Sequence, residues 1–103
     1  MIRRNMPLEA SLMWVKDLVT RFAAEFQYMY EFYQNFGILS RNKMKDGLED
    51  AIKAQRSMAK AKKLEAIGRF RDALDEYETS WSLLQEGLRD LTIKAKREKY
   101  LTE

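Results

Sequence analysis

Apolar side chains recur near both ends of the chain at alternating steps of three and four residues. Leu12, Val15, Val19, Phe22, Phe26, Met29, Tyr33 and Phe36 form one stripe. Phe70, Leu74, Tyr77, Trp81, Leu84, Leu88, Leu91 and Ala95 form the other. An α-helix completes a turn every 3.6 residues, so each set falls on one side of a helix. Two long helices with unbroken apolar seams must bury them against other helices.

The breaks between elements are few. Asn35-Phe36-Gly37 ends the first pattern, with Gly37 as a left-handed cap and Ser40 or Asn42 as the start of the next helix. Gly68 makes the second break, and its expected conformation is a positive φ. Pro7 sits where a first helical turn tolerates it. The expected elements are helices over about 7–36, 41–66 and 70–98, in one domain spanning residues 1–103. Gly47 and Gly87 fall inside helical patterns, where each costs about 1 kcal/mol relative to Ala, so they mark close helix contacts.

The middle helix is thin. Its buried row is Ala51, Ala54, Met58, Ala61 and Leu64, with Met44, Leu48 and Ile52 nearby. Small side chains let a neighbouring backbone approach closely. The first helix is the opposite case. Beside its seam lies a second row, Trp14, Leu18, Tyr28 and Phe32, interrupted by Arg21 and Glu25. Eight of the twelve aromatic residues lie in the first 36 positions. A helix apolar over more than half its circumference is expected to touch more than one partner. A binding groove is expected between the first helix and the hairpin of the other two, with Trp14, Leu18, Tyr28, Phe32 and Trp81 as candidate partner-binding anchors, and self-association is one expected outcome.

Charge adds one rival. The net charge of +3 is mild for a nucleic-acid binder, but it is unevenly spread. Lys53, Arg56, Lys60 and Lys63 recur at helical spacing on the middle helix and could meet phosphates. Binding of single strands also calls for aromatics beside such a strip, and these instead lie in the seams of the other two helices. In the last helix, Asp72, Asp75, Glu76 and Glu78 near the start and Lys94, Lys96, Arg97 and Lys99 near the end complement the helix dipole.

No chemistry-bearing motif is found. The chain contains neither histidine nor cysteine, which removes the commonest general base and the thiolate ligands of a zinc site. Ser57, Ser80 and Ser82 have no histidine to activate them. The carboxylates Asp46, Glu49 and Asp50, and Asp72, Asp75 and Glu76, are off the seams, and the histidine-containing helical metal pattern cannot be built. No catalytic residue, metal ligand or cofactor is expected. No apolar run is long enough to span a membrane and nothing resembles a targeting segment, so a soluble cytoplasmic setting is expected.

The stretch from Gly68 to Tyr77 resembles the second half of a tetratricopeptide repeat. Gly68, Phe70, Ala73 and Tyr77 match its turn glycine, aromatic, small and aromatic positions in order, with Ala61 and Leu64 upstream at the small and bulky positions. The same region is similar to MIT domains, three-helix relatives that bind short tails of partner proteins, through Leu83-Leu84 and a following long helix. Ser80 and Trp81 depart from the repeat, and only 13 residues follow Asp90 where a MIT domain places another helix. The resemblance implies an antiparallel hairpin of the second and third helices. The expected fold is all-α, with three long helices in an antiparallel, TPR/MIT-like bundle. The expected function is a non-enzymatic interaction module: an adaptor, chaperone-like or assembly subunit binding a protein partner. The alternative is a small nucleic-acid-associated protein using the basic strip.

Overall fold

A computed structural model describes residues 7–98. They form three helices: α1 (Leu8–Asn35), α2 (Lys45–Ala66) and α3 (Phe70–Arg97). Among the described residues there is no strand.

Two glycines terminate helices in the same way. Gly37 has φ +67° and Gly68 has φ +81°. After α1, the amide of Ile38 donates to the Tyr33 carbonyl at 2.9 Å and that of Gly37 to Gln34 at 3.1 Å. After α2, Arg69 donates to Leu64 at 2.9 Å and Gly68 to Glu65 at 3.0 Å. This paired pattern satisfies carbonyls that a helix end leaves without partners, and it requires the left-handed conformation that glycine adopts without strain.

α2 starts four residues later than the pattern suggested. Its N-cap is Met44, and neither Ser40 nor Asn42 caps it; the Ser40 hydroxyl accepts instead from the Lys43 amide. The segment between the helices folds inward, so that Leu39 and Met44 are buried. Burial of two large apolar side chains, each contributing about 1.5–3 kcal/mol, outweighs the roughly 1 kcal/mol of a side-chain cap.

α3 is the central helix. It packs along α2 on one side and α1 on the other, whereas α1 and α2 scarcely touch. Gly47 lies against Gly87, Ala54 against Ser80 and Glu65 against Tyr77, so numbers rise along α2 as they fall along α3. Along α1 they rise together: Lys16 is over Tyr77, Phe22 beside Trp81, and Phe26 near Gly87.

The two contacts of α3 differ in kind. Toward α2 it presents Ala73, Ser80 and Gly87, one small residue per heptad, all buried. α2 answers with Gly47, Ala54 and Ala61 at the same interval, also buried. A Cβ on either glycine would lie 3.1 Å from the other's carbonyl oxygen, so the two backbones themselves are in contact. Toward α1 the contact is made of large side chains: Val15, Val19 and Phe26 meet a core that includes Leu74, Tyr77, Leu84 and Leu91.

Of the two predicted seams, most positions are core. Phe36 and Phe70 are the exceptions, both exposed. Each stands at a helix terminus next to a turn, beyond the reach of the neighbouring helix.

Candidate protein-binding surface

α1 carries three longitudinal zones, set by its 100° turn per residue. The core stripe lies against α3. On one flank of it runs the row predicted to bind a partner. Trp14 is 40% exposed and Tyr28 is 67% exposed, while Leu18 and Phe32 are half-buried. The Tyr28 and Phe32 rings stack at 6.3 Å between centroids, with 21° between planes. Phe36 extends the cluster, its ring 4.9 Å from that of Phe32 and tilted by 42°, and is 71% exposed. Sequence reasoning placed Phe36 in the core; its position immediately before Gly37 is the signal that it leaves the helix end and joins the surface.

The structure brings Tyr28 and Phe32 together. Trp14 and Leu18 lie on the same face about 21 and 15 Å away along the helix, since 14 and 10 residues separate them from Tyr28 at 1.5 Å each. Trp81 belongs elsewhere: it is half-buried in the α1–α3 contact, its ring edge-on to Phe22 at 5.9 Å. Its indole nitrogen is buried there without an acceptor. Met13 is an exposed apolar neighbour of Trp14 that the pattern did not single out.

The other flank of α1 borders an open groove of about 720 Å3 between α1 and α2. Its walls include Ala23, Gln27 and Tyr30 of α1 and Leu48, Ala51 and Ile52 of α2. The gap exists because α3 holds α1 and α2 apart along this length.

Nearer the start of α1, one carboxylate joins all three helices. Glu65 on α2 accepts from Lys16 Nζ of α1 at 3.0 Å and from the Tyr77 hydroxyl of α3 at 3.1 Å. Lys16 also lies 5.9 Å from the centre of the Tyr77 ring. The hydrogen bond from Lys16 holds the Glu65 carboxyl below its ordinary range, with Tyr77 assisting. Burial, then the Glu65 contact, pushes the Tyr77 hydroxyl up to about 12. The arrangement is a clamp across helices and contains no reacting pair.

Lys53, Arg56, Lys60 and Lys63 are all exposed on α2. Lys60 is paired with Glu76 of α3 at 3.3 Å. Lys53 lies close enough to Asp50 to favour its charge, although burial dominates and raises the Asp50 carboxyl overall. None of the exposed aromatics of α1 belongs to this face.

Among the described residues, no group of three or more His, Cys, Asp or Glu side chains could hold a metal ion. Ser80, the one fully buried serine hydroxyl, donates to the Ala54 carbonyl. No described helix is long and apolar enough to cross a membrane. No family model, curated protein or solved structure matches this chain.

Proposed function

We propose that the protein is a non-enzymatic protein–protein interaction module, an adaptor or assembly subunit of cytoplasmic setting, whose binding face is the outer aromatic row of α1. One observation carries this reading: the Tyr28, Phe32 and Phe36 rings form a continuous cluster, the first two stacked and the third tilted against them, with two highly exposed members. Contiguous exposed apolar area on a folded domain marks an interaction site, and aromatic side chains supply most of the energy at such sites. The opposite order of residue contacts between α2 and α3 supports an antiparallel, TPR/MIT-like hairpin as the scaffold. In that scaffold the small-residue contact fixes the hairpin, and α1 is laid against it with one flank to spare.

The test compares the parent with Trp14→Glu combined with Phe32→Glu. The variant is expected to keep its helical circular dichroism and lose the assembly or the bound protein that the parent shows. Equal retention by both, or a parent that binds nothing and stays monomeric, rejects the reading.

The exposure of all four basic residues on α2 supports a second reading, binding of a polyanion such as nucleic acid. The pairing of Lys60 with Glu76 weakens that reading, because one of the four charges is already partly neutralised.

A further inference from the structure

Two opposite charges, Arg21 and Glu25, interrupt the aromatic row at its centre. Around α1, Trp14, Leu18, Arg21, Glu25, Tyr28 and Phe32 follow steps of 4,3,4,3,4. At 100° per residue they span an arc of about 80°, which makes them a second heptad seam beside the core stripe. This seam reads alike in both directions about Ala23. Trp14 and Phe32 are equidistant from that residue, as are Leu18 and Tyr28, and Arg21 and Glu25. Ala10 and Phe36 extend the symmetry outward.

We infer that the partner on this face is a second copy of the chain, with two α1 helices packed antiparallel about a twofold axis that crosses the seam at the level of residue 23, midway between Arg21 and Glu25. The inference rests on the interaction-module reading above. A twofold contact is self-complementary by construction: if residue i meets residue j, then j meets i. Here that rule places Trp14 beside Phe32 of the second copy and Leu18 beside Tyr28. Arg21 meets Glu25 twice, once on each side of the axis. A second copy presents an acid opposite each base and a base opposite each acid at the centre, the charge complementarity this face calls for.

The side chains are arranged for this use. Arg21 is exposed and already oriented along the helix by Asp17, which accepts from its Nε at 3.1 Å and its Nη2 at 2.6 Å. Both bonds go to one carboxylate oxygen, and three of the five guanidinium N–H donors remain for a further acceptor. Glu25 is exposed one turn away. The central charges set register and direction, since a parallel pairing would place Arg21 beside Arg21 and Glu25 beside Glu25.

Charge exchange tests the geometry without touching the core. The parent is expected to sediment as a dimer at micromolar concentration. Arg21→Glu alone and Glu25→Arg alone each place like charges at the centre, and each is expected to raise the dissociation constant about tenfold or more. Mixing the two variants in equal amounts is expected to restore dimers, because every central pair is again opposite in sign. The double exchange Arg21→Glu with Glu25→Arg is expected to dimerise by itself. Helical circular dichroism of each variant confirms that the protomer is folded. A mixture that remains monomeric overturns the inference, as does a parent that stays monomeric at several hundred micromolar. If that monomeric parent still captures another protein, and Trp14→Glu with Phe32→Glu abolishes the capture, self-pairing is rejected and the interaction-module reading stands.

Discussion

The Ser80 hydroxyl donates to the Ala54 carbonyl at 2.7 Å, across the contact between α3 and α2. Both residues are completely buried. A serine side chain is too short to bridge two helices at ordinary separation, so the bond exists only because small residues face each other on both sides. The carbonyl has a second lone pair beyond the one used within its own helix. Ser80 therefore fills a small-residue position of the helix contact without leaving a polar atom unmatched.

Ser80→Ala is expected to cost about 0.5–1.5 kcal/mol, the net value of one buried neutral hydrogen bond. Ser80→Leu is expected to cost more, because its added carbons can be accommodated only by parting the helices. Urea denaturation with an unchanged slope measures both. A leucine variant as stable as the parent would show that the contact is looser than the 2.7 Å bond implies.

Gly87→Ala sets two effects against each other. Helix propensity favours alanine by about 1 kcal/mol. The new Cβ would meet the Gly47 carbonyl oxygen and the Phe26 ring, each at 3.1 Å. The oxygen belongs to a helix backbone, and the ring is pinned in the core, so neither can retreat cheaply. Overpacking of this kind costs about 1–3 kcal/mol, and the net change is expected to be destabilising. A raised denaturation midpoint would mean that the propensity term wins.

Gly68→Ala has a different cause. Nothing lies within 4 Å of a Cβ there, but the backbone has φ +81°. The expected loss is about 1 kcal/mol, from conformation alone. Gly68→Asn is expected to lose less, since asparagine tolerates the left-handed region. Equal losses for alanine and asparagine would argue against that origin.

These sites also show how far the pattern of residues reaches. The seams of α1 and α3, both turn glycines and the close contact at Gly47 and Gly87 follow from spacing, because helical periodicity and glycine geometry are local properties. The inward fold of Leu39 and Met44 does not. Ser40 and Asn42 are good caps locally, and burial against distant residues overrode them. Trp81 illustrates the same limit at the candidate site. Its aromatic character makes it a candidate anchor, while its surroundings depend on how α1 lies on α3. Phe36 was on the seam by count, and only the geometry of the helix end turns it outward to extend the aromatic cluster. A groove between the first helix and the hairpin is expected from the sequence, but the lining of the one between α1 and α2 is not, since it depends on the spacing of two helices that α3 holds apart.

The clamp at Glu65 predicts losses of stability at both ends of the pH range. Its carboxyl is held below the ordinary value by Lys16 and Tyr77. A depressed folded value means that stability is present above the unfolded value and is lost as pH falls through the folded one. Glu65→Gln is expected to flatten that part of the acid limb, while lowering stability at neutral pH. Tyr77 gives the alkaline counterpart. Its hydroxyl is raised from 10.0 to about 12, by burial first and Glu65 second. Below pH 10 the hydroxyl is protonated in both states, and its contribution is complete. Between about 10 and 12 the unfolded chain releases this proton first, so stability falls as pH rises. At about 1.4 kcal/mol per unit, the loss attributable to Tyr77 is roughly 2–3 kcal/mol. Tyr77→Phe removes the ionising group and is expected to give a shallower decline over this interval, at the expense of about 1 kcal/mol at neutral pH from the lost bond to Glu65. Urea midpoints of parent and variant at pH 7, 10 and 11.5 decide it. Parallel curves for the two proteins would show that Tyr77 ionises no later folded than unfolded.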